Sequence, residues 1–428
     1  MATFSSPRRV FLQTGAAGVA GTLLATRAGK TESPNETIVV GVMGTNNRGN
    51  ALAKSFVAQS NCRVGAVCDV DVRAREKAAA TVAQGQPEKP QLVEDFRRML
   101  DNKAIDAIVI AAPDHWHAPA TVFACNAGKH VYCEKPASHN PAEGELAIAA
   151  SQKNDRVVDI GTQRRSMPKI QEAIARLRKG DLGEVLYSRG WYNNRRGSIG
   201  NGKVAPVPSW LDYSLWQGPA PKEDYRDNVV HYNWHWFWTW GTGEIGNNGV
   251  HSLDICRWGL GVDYPTKVAS TGARLRYDDD QQTPDTHTAT YHFPGDKMIT
   301  WEGISWQPRG REDSMFGISF HGTEGSLVID GGSYKIYDMH NKLVEEVSGP
   351  SSDAPHLSNF LECIRTNQKP NATIEEAHKS TLLCQLGNIA HRTNSVLDID
   401  PANGHIQNNQ AAQNLWGREY NPAFEPKV

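Results

Sequence analysis

One succession restricts the fold more than any other: a strand, a glycine turn, a helix, and a second strand that ends in an acid. Thr37 to Gly41 is a β-branched, apolar run that feeds Gly44-Thr45-Asn46-Asn47-Arg48-Gly49, and Asn50 to Ala58 reads as a helix. A second apolar run, Arg63 to Cys68, ends in Asp69, 20 positions after Gly49. Parallel strands need such a crossover through a helix, and a sheet of them needs cover on both faces. A glycine turn between the first strand and its helix lets the backbone approach a pyrophosphate at the helix N-terminus. A carboxylate about 20 residues on accepts hydrogen bonds from an adenosine ribose. Gly44, Thr45, Asn46, Arg48, Gly49 and Asp69 are therefore candidate dinucleotide-binding residues. The usual middle glycine is Asn46 here, a residue type that tolerates the left-handed conformation such a turn can require. Asp69 would repel a ribose 2′-phosphate, which favours NAD over NADP, and Arg73 and Arg75 are the nearby groups able to reverse that.

The pattern continues. Ile105 to Ala112 is apolar and runs into Pro113-Asp114-His115-Trp116-His117. Trp116 to Asn126 is helix-like, Gly128 stops it, and the short strand His130 to Cys133 leads into Glu134-Lys135-Pro136. Val157 to Gly161 reads as the last strand of the set. This alternation predicts a doubly wound parallel sheet. A lysine at the carboxyl end of a parallel strand sits where such sheets bind ligands, and the proline after it fixes the departing backbone. Lys135 is thus aimed at a cofactor edge and a substrate hydroxyl, with Pro113, His117 and Glu134 on the same rim.

In the second half, Gln163-Arg164-Arg165 follow the last parallel strand and face either solvent or a cleft. Pro168 to Lys179 has the periodicity of an amphipathic helix ending at Gly180. Gly183 to Trp191 alternates as a strand. Residues 193–228 read as a long excursion, of a length that usually serves function or wraps a partner. Thr266 to Arg276, Thr286 to Phe293, Met298 to Ile304, Met315 to Phe320 and Ser326 to Tyr337 give strand signals that predict an antiparallel sheet. His356 to Thr366 and Ile374 to Arg392 read as helices, and residues 395–428 as a terminal arm. The run His231 to Trp240 is unusually aromatic, and its Trp236 and Trp238 are candidate platforms for the C–H face of a sugar. His115, His117, His231 and His235 have metal-like spacing without a third placed ligand, so no metal is expected.

Composition closes off other classes. The 428 residues suffice for two domains, and the net charge of −2, with no basic block beyond an amino-terminal arginine pair, gives no surface for nucleic acid. The seven cysteines include no C-x-x-C pair and read as buried thiols. Ser6-Pro7-Arg8-Arg9-Val10-Phe11-Leu12, followed by the mildly apolar run Thr14 to Ala25, resembles a twin-arginine export signal too short to span a membrane. The expected organisation is a signal over residues 1–30, a linker at 31–36, a dinucleotide domain at 37–162, a substrate and oligomerisation domain at 163–394, and the arm.

The glycine turn, Asp69, Ala112-Pro-Asp-His-Trp-His117 and Glu134-Lys135-Pro136, with Gly241-Thr-Gly-Glu-Ile-Gly-Asn247-Asn-Gly-Val-His251-Ser-Leu-Asp254 after them, resemble the glucose–fructose oxidoreductase/inositol dehydrogenase (Gfo/Idh/MocA) family from Thr37 to about Asn394. The resemblance implies an amino-terminal Rossmann domain and a carboxyl-terminal α/β domain with a large, mostly antiparallel sheet. Lys135 and His251 would stand on opposite sides of the substrate, and Gln163, Arg164 and Asp254 would be near it. Several members carry an Asp four residues before the histidine. Asn247 stands there in this chain; it holds no charge, but is able to orient the imidazole or a substrate hydroxyl, which leaves His251 as the base. The implied activity is NAD(P)-dependent oxidation of a carbohydrate or polyol hydroxyl in a homo-oligomer, and the export signal adds a periplasmic location without a ready supply of NAD, hence a tightly bound, internally recycled cofactor. Redox-assisted glycoside hydrolysis and a non-enzymatic sugar-binding role are the alternatives.

Overall fold

The computed structural model describes residues 37–428, so the expected export signal and linker lie outside the described residues. The first sheet is built from β1 (Ile38–Met43), β2 (Cys62–Cys68), β3 (Gln91–Val93), β4 (Ala107–Ile110), β5 (His130–Cys133) and β6 (Val158–Ile160). All its pairings are parallel, in the order β3-β2-β1-β4-β5-β6. Helices cover both faces, which is why Val40, Val42, Ile108 and Val109 form unbroken apolar runs and are fully buried. The strand order reverses between β1 and β4, and a crevice opens beyond their carboxyl ends.

The second sheet has ten strands: β7 (Val185–Asn193), β8 (Lys267–Ala273), β9 (Thr286–Phe293), β10 (Lys297–Ile304), β11 (Phe316–Gly322), β12 (Ser326–Asp330), β13 (Ser333–Tyr337), β14 (Leu343–Val347), β15 (Leu397–Ile399) and β16 (Ile406–Gln407). Only β7 and β10 pair in parallel among its strands. One face packs on the helices Pro168–Lys179, Val250–Leu260 and Ile374–Thr393. The strands accordingly alternate: in β9, Ala289, Tyr291 and Phe293 are buried while Thr288 and His292 are exposed.

Four expectations change. The first helix begins at Arg48, two residues early, and the turn before it takes its left-handed residue at Gly44 (φ +81°), so Asn46 is not asked to adopt one. Ser326 to Tyr337 is not one strand but a hairpin, β12–β13, turning at Gly331 (φ +57°). Residues 193–228 are not a free excursion: Val72 N donates to Trp210 O at 3.1 Å, and Asp212 N to Val70 O at 3.0 Å. Leu211, Tyr213 and Trp216 of this segment pack with Trp234 and Trp240 of the aromatic run, so the segment and that run together are fastened as a strap of the second domain over the first. Residues 395–428 supply β15 and β16, then run back across the first domain. Arg418 pairs with buried Glu143 at 2.6 Å, and Phe424 meets Trp116 edge-on, 5.4 Å between ring centres.

Candidate active site

The crevice is a cavity of about 530 Å3 that runs from Asp69, past the turn at Gly44, to Lys135 and His251. At its first end the glycines are dictated by contact. A Cβ on Gly44 would stand 2.5 Å from Ala112 N, and one on Gly49 would stand 1.8 Å from Gly44 O. The turn is thereby pressed onto the end of β4, as a phosphate-cradling turn must be. Asp69 Oδ2 accepts from Thr45 N at 2.6 Å and Asp69 Oδ1 from Asp71 N at 2.9 Å. Burial pushes the Asp69 carboxyl up, and these N–H groups pull it back. The two arginines that could have offset its charge are occupied. Arg73 is bound through two nitrogens by Asp71 and lies 3.6 Å over the Trp210 ring, while Arg75 donates to Asp69 O at 2.9 Å.

At the other end, Lys135 Nζ donates to Asn247 O at 2.6 Å and to Asn247 Oδ1 at 3.2 Å. Asn247 lies in a π-turn, Ile245–Gly249, inserted before the helix that carries His251; such turns recur at functional sites because they release backbone groups from the helical ladder. Burial lowers the Lys135 pKa, and the carboxylates of Glu134 and Asp114 raise it. The His251 imidazole is held well below its ordinary pKa by burial, with the cations Lys135, Arg164 and Arg48 adding to the effect. It therefore rests in the neutral form at neutral pH, the form a base must start from. Glu134 Oε1 accepts from Arg48 Nε at 2.7 Å, and Arg48 also reaches Asp353 at 2.6 Å.

The structure brings Gly44, Asn46, Arg48, Asp69, Pro113, His117, Glu134, Lys135, Gln163, Asn247 and His251 to this one cavity. Thr45 and Gly49 hold the turn from behind. His117 is clamped at both ring nitrogens, by Pro136 O at 2.6 Å and Ala112 O at 2.8 Å, so it shapes the rim rather than offering a free nitrogen. Asn247 orients Lys135, with no bond to His251. Arg164 lies outside the lining, its guanidinium 4.2 Å over Phe316 and its pKa lowered by burial to about 10. Asp254 is not in the cleft; it is buried in a forked pair with Arg165 (2.8 Å) and accepts from Ser380 at 2.7 Å. Trp236 is buried under Arg196, 4.8 Å from its ring, and Trp238 faces away. The cleft instead takes Tyr232, Trp234 and His235 from that aromatic run, with Trp116 and Trp216 from elsewhere. Among the described residues, no group of three or more His, Cys, Asp or Glu is placed to hold a metal ion.

A dinucleotide fits this cavity. Its lining residues leave Arg48 Nη2, Gln163 Oε1 and His251 Nδ1 buried without a protein partner, which gives a ligand donors and acceptors to meet.

Comparison with known proteins agrees. Residues 38–162 match the NAD-binding Rossmann fold of the Gfo/Idh/MocA oxidoreductase family, and residues 190–425 its C-terminal α/β domain. A glycosyl hydrolase family 109 protein of Saccharopolyspora erythraea is 32% identical over 163 residues, 37% of this chain and 35% of the relative. An inositol 2-dehydrogenase of Salmonella typhimurium is 30% identical over 232 residues, 54% of this chain and 56% of the relative. The chain thus spans about a third to just over half the length of these curated relatives. A levoglucosan dehydrogenase solved with NADH and levoglucosan shares the fold (TM-score 0.66, 16% identity, 85% of this chain and 99% of that one). With the two family domains matched in order over most of its length, the chain belongs to the Gfo/Idh/MocA oxidoreductase family, built on an NAD-binding Rossmann domain.

Proposed function

We propose that the chain oxidises, and in reverse reduces, a hydroxyl-bearing carbon of a sugar or polyol, using NAD as a resident cofactor. The observation that carries this reading is the continuity of the cavity: Asp69 and the glycine turn at one end, Lys135 and His251 at the other. Gly44, Asn46, Arg48 and Asp69 would hold the dinucleotide, whose nicotinamide, when bound, supplies the hydride acceptor. The chain's own side chains handle the proton and the charge. His251, neutral, takes the hydroxyl proton. Lys135 Nζ, steadied by Asn247 O and Oδ1, places positive charge against the oxygen as it becomes anionic. The aromatic rim of Tyr232 and Trp234 and the names of the relatives, inositol 2-dehydrogenase and levoglucosan dehydrogenase, support a sugar or polyol as substrate. Mixing the purified protein, at a concentration where its bound cofactor is visible, with each of a panel of hexoses and polyols and following nicotinamide absorbance through a single turnover tests the reading; no reduction by any of them would count against it.

The choice of NAD rests on Asp69 and on the capture of Arg73 by Asp71. Asp69→Ser is expected to weaken NAD about 10- to 100-fold, the value of a charge-assisted hydrogen bond, and to narrow its preference over NADP. Titrating both cofactors into wild type and variant measures this, and an unchanged ratio of affinities would remove Asp69 from discrimination.

Retention of the cofactor is part of the proposal. The strap over the first domain is fixed at the Asp69 end by Asp71, whose Oδ2 lies 2.8 Å from His231 Nε2, and would help to hold a dinucleotide bound beside Asp69. Together with export as a folded protein through the Arg8-Arg9 signal, this argues for a cofactor loaded before export and recycled within the reaction. At a dissociation constant of about 1 nM, binding is worth about 12 kcal/mol and survives purification. The mature protein is expected to release close to one NAD(H) per chain on denaturation, read by mass spectrometry. A protein that purifies empty and needs NAD in steady excess would overturn the retained-cofactor reading.

A second reading, glycoside cleavage with transient oxidation of the sugar and no net change in the cofactor, is favoured by the glycosyl hydrolase family 109 relative. Release of the leaving group from an aryl glycoside without NADH accumulation distinguishes it.

A further inference from the structure

Behind the aromatic wall of the cleft lies a second cavity of about 290 Å3, for which the reaction above has no use. The helix Ile374–Thr393 lines it with Gln385, Asn388 and Arg392, whose spacing puts them on one helical face. His139, Trp238 and Arg418 complete the wall from three other parts of the chain.

The polar groups of this wall are oriented by the protein and left incomplete. Gln385 Nε2 donates to Ser138 O at 3.0 Å, and Asn388 Nδ2 to Thr242 O at 2.8 Å, which fixes both amides. Gln385 Oε1 and Asn388 Oδ1 are then left as buried acceptors with no partner in the protein, on side chains more than nine-tenths buried. Arg418 is held through Nη2 by Glu143 and by His115 O, and its Nε and Nη1 are buried donors without partners. His139 Nε2 lies 3.0 Å from Trp238 O, and its Nδ1 is unpartnered too. A buried polar atom without a partner is costly, so a set of them on one wall asks for a ligand.

The demands are mixed. Two fixed acceptors need donors, and guanidinium donors need acceptors. Hydroxyl groups serve both, and a ring of them fits a cavity of monosaccharide size. The wall also carries a cation with no acidic partner among the described residues: Arg392, 5.0 Å from the Trp238 ring. No carboxylate lines the cavity.

We propose that this cavity is a second binding site, for a hydroxylated carboxylate of monosaccharide size such as a hexuronate, with Gln385 and Asn388 taking its hydroxyls, Arg418 giving to its oxygens and Arg392 meeting its carboxylate. The site is set back to back with the cleft. Thr242, whose carbonyl is bonded by Asn388, donates through Oγ1 to Asp114 Oδ2 at 2.6 Å, and Asp114 lines the cleft.

Calorimetric titration of D-glucuronate and D-glucose into the full-length, cofactor-loaded protein tests the proposal. Glucuronate is expected to bind saturably and more tightly than glucose. Arg392→Ala, at an exposed position where folding is not at risk, should weaken it about tenfold or more, as for loss of a charge-assisted hydrogen bond. Trp238→Ala should weaken it as well, and His251→Ala in the cleft should leave it unchanged. Absence of saturable glucuronate binding would overturn the proposal. So would equal affinity for glucose, indifference to Arg392→Ala, or loss of binding in His251→Ala, which would place the ligand in the cleft.

Discussion

Lys135→Ala and His251→Ala are expected to fold, to carry NAD(H) and to lose hydroxyl oxidation. Removing the lysine takes away the one cation that Asn247 holds at the reacting end of the cavity, an effect of about 10³-fold on kcat by analogy with a lost oxyanion donor. Removing the base costs about 10²- to 10⁴-fold. The double variant should be little worse than the weaker single, because the two side chains act on one proton and one oxygen. The pH profile follows from the shifts. His251 lies far below an ordinary histidine, so its base form persists into the acid range and no acid limb appears near pH 6.5. Lys135 is lowered by burial, so activity falls on the alkaline side at a pH below that of an ordinary lysine, as its charge is lost. Steady-state kinetics with cofactor content checked by absorbance would measure all of this. Full activity in either variant would remove that residue from the mechanism.

Asp254→Ala should cost stability rather than chemistry. Arg165 is 4% exposed and forked onto Asp254, and Ser380 links that carboxylate to Arg257 and on to Glu376. Removing the acid strands a buried guanidinium, a loss of about 3–5 kcal/mol. Denaturant titration should show the loss, while the affinity for NAD stays near that of the wild type. A change under about 1 kcal/mol would mean that the network re-pairs through Glu376, which already lies 3.6 Å from Arg165.

What sequence could tell follows from how local each signal is. β5 and the helix Pro168–Lys179 have the bounds read from the chain, because Gly128, Pro136 and Gly180 punctuate them. Lys135 was legible for the same reason: a strand end and a proline fix where it points. The faces of the aromatic run were not. A stretch with neither a period of two nor of 3.6 does not say which ring is turned inward, and the pull of Arg196 on Trp236 and of Arg392 on Trp238 comes from far along the chain. The part of Asp254 was hidden likewise: its partner Arg165 looked like a cleft residue while Arg164 beside it stacks on Phe316. The hairpin at Gly331 was missed because apolar alternation continues on both sides of a two-residue turn.

The return of residues 415–428 onto the first domain bears on the order in which the molecule can be completed at the ribosome. The glycine turn and Lys135 emerge early, but Trp116 of the cavity lining rests on Phe424, and the strap that covers Asp69 comes from beyond residue 193. Contacts so distant in sequence form late. The first domain therefore emerges with its cofactor groove open and unsupported, and the groove is finished only once Phe424 has left the tunnel. Translation itself thus sets the earliest moment at which a dinucleotide can be enclosed.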